Sequence, residues 1–134
     1  NCHPDYGTTD VKTTLDLSDD AARANWGGQW RMPTTIELQE LINRNNCTWT
    51  WTTKNGVNGY KVTSKTNGNS IFLPAAGYRS GTSVYDVGSR GYYWLSLLLE
   101  STPNYAYRLY FDSGNEGWGY YNRYYGLTVR AVCP

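Results

Sequence analysis

Tyr105-Ala-Tyr-Arg-Leu-Tyr-Phe-Asp112 carries two interleaved sets of side chains. Successive residues of a β-strand point to opposite faces. Tyr107, Leu109 and Phe111 therefore share one face, expected to lie on the core. Arg108, Tyr110 and Asp112 share the other, which turns a guanidinium, a phenol and a carboxylate outward. Around this strand the chain is crowded with tyrosine: nine of its 13 tyrosines lie between Tyr92 and Tyr125, spaced by Gly, Ser and Asn. Tyrosine gives a large, stiff, amphipathic contact at low entropy cost, and Ser, Gly and Asn add adaptable hydrogen bonding. A core of this composition would have to find a partner for every buried phenol. The composition thus favours display for binding over an ordinary Tyr-rich sheet.

The bulk numbers narrow the classes. A chain of 134 residues is expected to form a single domain over 1–134, large enough for a real core. With two Phe and one Met, the aliphatic core must be compact. Net charge is +1 without a basic run, so no nucleic-acid partner is expected. No apolar stretch approaches a membrane span, and no membrane insertion is expected. The three cysteines, Cys2, Cys47 and Cys133, allow at most one disulfide, with Cys47 either paired to Cys2 or buried; Cys2–Cys133 stays open as well. The only histidine is His3, so neither a metal nor another cofactor is expected, nor a catalytic centre.

Local signals divide the chain into helices early and strands late, which argues for an α+β fold. Residues 1–17 are polar and turn-rich. Ser18 is placed to cap a short helix to Asn25, with Asp19 and Asp20 in its first turn. Pro33-Thr-Thr35 precedes a second helix, with Glu37 in the first turn and Ile36, Leu38, Leu41 and Ile42 as the apolar stripe. Strands are expected over 48–53, 60–64, 70–73, 92–98, 105–112 and 127–132, with turns over 54–59 and 67–69 and a Gly-Ser loop leading to Gly91. In the last strand Val129 and Ala131 should be buried, joining Ile36, Leu38, Leu41, Ile71, Leu73, Tyr107, Leu109 and Phe111. The run Leu95-Ser-Leu-Leu-Leu99 is either a buried strand or an exposed apolar patch.

Four ordered blocks resemble a known family. Trp30-Arg-Met-Pro-Thr followed by Glu37-Leu and Glu40-Leu-Ile, then Asn69 to Arg79, Gly91-Tyr-Tyr-Trp94 and Arg123 to Arg130, are similar to the Fibrobacter succinogenes major paralogous domain. The resemblance runs from about Asp19 to Val132. It implies a C-type-lectin-like fold, two helices packed on a small twisted antiparallel sheet with the N- and C-terminal strands paired. It also implies a variable region over 91–132, of the kind diversified by retroelements in gut Bacteroidetes and their phages. A bacterial cell surface or a phage virion is the location that goes with it.

Other constellations carry less. Glu37 and Glu40 read as a solvated helix face rather than paired acids. Asp16, Asp19 and Asp20 lack the spacing of a calcium loop. Trp26, Trp30, Trp49 and Trp51 read as core and hairpin aromatics. The expected site is one contiguous surface of Tyr92, Glu100, Thr102, Tyr105, Arg108, Tyr110, Asp112, Asn115, Glu116, Trp118, Tyr120, Tyr121, Tyr124 and Tyr125, with Gly114–Asn122 looping beside the outward face of the strand. Arg108, Tyr110, Trp118 and Tyr121 are its expected anchors. The expected role is a ligand-binding display module for a protein or glycan on a cell surface. A structural pilus or tail-fibre tip is the alternative, and an enzyme akin to the formylglycine-generating enzymes is the weakest reading.

Overall fold

The computed structural model describes residues 12–134. They form a small α+β domain with two helices and three antiparallel sheets. Helix α1 is Ala21–Trp26 and starts later than expected. Asp20, not Ser18, is its cap: its Oδ1 accepts from the N–H groups of Ala22 (2.9 Å) and Arg23 (3.0 Å). Its Oδ2 accepts from the N–H of Met32 at 2.8 Å, which ties α1 to the next segment and explains why this carboxylate is buried. Trp26 and Trp30, expected in the core, stand exposed beside α1 in an edge-to-face pair 6.3 Å apart.

Helix α2 is Thr35–Ile42. Thr34 accepts from the Glu37 N–H at 3.2 Å, and the Glu37 carboxylate accepts from the Thr34 N–H at 2.9 Å, a reciprocal capping box. Arg31 forks onto the same carboxylate at 2.8 and 2.7 Å. Glu37 is thus engaged in structure, whereas Glu40 is exposed as expected. Leu38 is buried and Leu41 and Ile42 pack against the core, but Ile36 is 68% exposed, a correction to the expected stripe. Two helical residues apart is about 200° of rotation, so Ile36 cannot share Leu38's face.

The alternating stretch after α2 forms β1 (Cys47–Lys54), β2 (Val57–Ser64) and β3 (Ser70–Pro74), in the order β1-β2-β3. Only Asn55 and Gly56 form the first turn, with φ of 52° and 78°, so 57–59 belong to β2. Positive φ at both central residues is what a tight hairpin requires. The expected Gly-Ser loop contains a hairpin of β4 (Tyr78–Ser80) and β5 (Ser83–Tyr85). The third sheet is β6 (Gly91–Leu98), β7 (Tyr105–Phe111) and β8 (Glu116–Asn122), in the order β6-β7-β8.

Strand β8 corrects the expected loop over 114–122. Its Gly-aromatic alternation is weak in strand propensity, yet it pairs with β7 from Tyr105↔Asn122 to Phe111↔Glu116, and tertiary pairing overrides propensity here. The segment 127–132 is not a continuous strand. It changes partners along its length, bridging Thr128 to Tyr93 and Val132 to Arg31, and Val129 and Ala131 are half-buried for that reason. The leucine run lies in and just after β6, with Leu95 and Leu98 buried, so it is not an exposed patch. Tyr107 and Ile71, expected inside, are half-buried and pack against the core. Leu109, Phe111 and Leu73 are buried as the alternation required. Cys133 is exposed and Cys47 half-buried, both as free thiols; Cys2 lies outside the described residues.

Arg31 holds the Glu37 carboxyl down to about 2 from its ordinary 4.5, with the Thr34 N–H and hydroxyl assisting. A carboxylate depressed in the folded state adds stability above pH 4.5 that is lost as pH falls through about 2. Both partners are about one-third exposed, so the effect is modest. Urea denaturation of Glu37→Gln should therefore show a flatter stability profile across that window than the native chain. Overlaying profiles would mean the pair contributes nothing.

Candidate functional site

The register of the third sheet sorts the tyrosines onto two faces. Tyr93↔Leu109 and Gly91↔Phe111 point inward, and Tyr93 stacks on Phe111 at 5.9 Å. Tyr92↔Tyr110 and Trp94↔Arg108 therefore point outward, and across β8 Gly119 faces Arg108 and Tyr121 faces Ala106. Tyr121 stacks with Tyr92 at 6.3 Å and with Tyr125 at 4.5 Å. Tyr124 lies 4.5 Å from Tyr125. The β4–β5 hairpin closes the array from the other side. Tyr78 meets Tyr92, Tyr121 and Tyr125 edge-on at 5.3, 5.8 and 5.5 Å and stacks on Tyr85 at 5.2 Å. The result is a continuous chain of rings from Tyr85 to Tyr124.

Arg108 sits within this face. Its guanidinium carbon is 4.8 Å from the Tyr121 ring centre, 5.0 Å from Tyr110 and 5.1 Å from Tyr92. Ring quadrupoles attract the cation. Its Nε and Nη1 are enclosed and have no hydrogen-bond partner among the described residues. Burial pushes this guanidinium below its ordinary pKa. Burial also raises the Tyr92 phenol, whose hydroxyl donates to Asp86 at 2.8 Å; Arg90 holds the same carboxylate at 3.5 Å. Tyr78 is likewise raised by burial.

Not all expected site residues join this face. Tyr105, Trp118 and Tyr120 lie on the opposite side of β7 and β8, where Tyr120 contacts Tyr105 at 5.6 Å and Trp118 contacts Tyr107 at 5.7 Å. The expected single patch is therefore divided by the sheet. Glu100 and Thr102 lie in the β6–β7 turn, where Thr102 donates its N–H to the Leu99 carbonyl. Asp112 shapes the β7–β8 turn, accepting from the N–H groups of Gly114 (2.9 Å) and Asn115 (3.0 Å). The Glu116 side chain is 10% exposed and pairs with Arg44, which makes it a structural group rather than a displayed one. Sequence reasoning missed Tyr78, Tyr85, Asp86 and Arg90. The only available hint was a second tyrosine pair within the Gly-Ser stretch.

Among the described residues no group of three or more His, Cys, Asp and Glu side chains comes together. Among these residues no helix is long and apolar enough to cross a membrane. A family described only as a domain of unknown function (DUF8237) matches residues 49–132, more than half of the chain, and the chain belongs to that family. No curated protein and no solved structure matches it.

The Tyr124 and Tyr125 hydroxyls share a hydrogen bond at 3.3 Å, in which the Tyr125 proton is held. This bond, with burial, pushes the Tyr125 phenol up to about 12. Alkaline difference spectroscopy should show one tyrosine titrating earlier in Tyr124→Phe than in the native chain, because the hydrogen bond is lost and Tyr125 moves back toward its ordinary range. Unchanged titration curves would show that the two phenols do not interact.

Proposed function

We propose that this domain is a ligand-binding display module. The observation that carries the reading is the chain of contacting rings from Tyr85 to Tyr124 with Arg108 set among them. Aromatic and arginine side chains supply most of the energy at protein interfaces. Here they are gathered on one face of the third sheet, apart from the Phe111 cluster; Tyr92, expected to be displayed, is itself buried and forms the packed floor of the array. The surface offers stiff aromatic area and a desolvated cation, which suits recognition of a ligand on a cell surface. The resemblance to C-type-lectin-like variable proteins supports the same reading. On it, the stretch over 91–132 is one product of retroelement diversification, carried on a bacterial surface or a phage virion. A neighbouring reverse-transcriptase gene with an Asn-rich near-copy of the coding sequence's 3′ end would establish that origin, and its absence would remove it.

Tyr110 is exposed, so Tyr110→Ala should leave folding stability within about 1 kcal/mol. For a ligand identified by screening surface-protein and glycan arrays, the same change should weaken binding by about 2 kcal/mol. Trp118→Ala, on the other side of the sheet, should leave that binding unchanged. Array ligands that depend on Trp118 and ignore Tyr110 would place recognition on the opposite face and overturn the reading.

A further inference from the structure

Arg108 is a cation surrounded by rings with no acceptor supplied. Among the described residues no carboxylate pairs with it. Ring faces attract the charge but do not replace the charge-assisted hydrogen bonds that a planar guanidinium makes with a carboxylate. The acid nearest this face in the bonding pattern, Asp86, is already held by Tyr92 and Arg90.

Gly119 stands directly across from Arg108 on β8. Opposite residues of an antiparallel pair share a face, and nothing lies within 4 Å of where a Cβ on Gly119 would sit. One side of this opening is closed by Tyr110, whose ring lies 3.2 Å from where a Gly117 Cβ would be. Tyr121 stands on the other side, two residues along β8. Side chains on one face of a strand are about 7 Å apart, so the opening admits a single extended side chain. Strand β8 is also the outer strand of its sheet, and its residues include no Pro or Lys, the devices that guard an edge against pairing. An extended chain laid along that edge would bring every second side chain over the tyrosine face.

We propose that the opening over Gly119 takes an aspartate or glutamate side chain from an extended segment of a protein partner, whose carboxylate pairs with Arg108. Tyr110 is the wall that moves: it is exposed, and no hydrogen bond holds its hydroxyl among the described residues. Turning it aside opens the enclosed guanidinium nitrogens. The inference deepens the display reading and rests on it.

The test uses fluorescence anisotropy with three labelled probes: a Thr-Glu repeat peptide, a Thr-Gln repeat peptide and an oligogalacturonate. The Thr-Glu peptide should bind at least about tenfold more tightly than the Thr-Gln peptide, a difference of about 1.4 kcal/mol. Arg108→Gln should abolish that preference. Gly119→Val should block binding by filling the opening; its open surroundings let the variant fold, which near-ultraviolet circular dichroism checks. Equal binding of both peptides, no binding of either, or an unchanged preference in Arg108→Gln overturns the proposal. Tighter binding of oligogalacturonate than of the Thr-Glu peptide overturns it in favour of an acidic glycan. A Tyr110-dependent array ligand that ignores Arg108→Gln would overturn this inference and leave the display reading standing.

Discussion

Phe111 occupies the space that a side chain at residue 91 would need: a Cβ placed on Gly91 would fall 2.1 Å from its ring. The same ring contacts Tyr60 at 5.4 Å, Tyr93 at 5.9 Å, Trp49 at 6.2 Å and Trp51 at 6.4 Å, which joins the first sheet to the third. Because Gly91 and Phe111 are opposite each other, this contact fixes the β6–β7 register. A slip by one residue would reverse every side chain. With Phe111 inside, Tyr92 and Tyr110 must point out, Tyr93 and Leu109 in, and Trp94 and Arg108 out. The tyrosine face is therefore a consequence of how the core closes.

That dependence explains what could be read in the sequence. The inward set of Leu109 and Phe111 and the outward set of Arg108 and Tyr110 follow from period-2 alternation alone. Thr34 and Glu37 announce their helix because the capping interactions span only three residues. The parts that escaped depend on partners distant in sequence. Glu116-Gly-Trp-Gly-Tyr-Tyr-Asn122 reads as a loop until β7 is placed beside it. Once it is a strand, Trp118 and Tyr120 must fall on the face opposite Tyr121, which divides a surface that composition alone could not divide. Tyr78 enters the site from a hairpin earlier in the chain, and its contacts with Tyr92, Tyr121 and Tyr125 leave no mark on local sequence. The outward direction of Arg108 was legible; its enclosure by three rings was not.

The two faces of the third sheet differ in what they carry. The inner face and the first sheet hold the aliphatic and aromatic groups that give the domain its stability, among them Leu73, Leu95, Leu109 and Phe111. The outer face carries phenols bonded largely within the array, Tyr92 to Asp86 and Tyr124 to Tyr125, plus a cation that no carboxylate pairs among the described residues.

The most direct test of this separation is cooperative urea unfolding, followed by near-ultraviolet circular dichroism, of a variant in which Tyr110, Tyr121, Tyr124 and Tyr125 are all replaced by Ser, compared with Phe111→Ala. The fourfold variant should unfold in one cooperative transition with its core aromatic signal retained, whereas Phe111→Ala should lose about 3–5 kcal/mol, as large core truncations do. Collapse of the fourfold variant alongside a tolerant Phe111→Ala would contradict it, because the tyrosines would then be the core.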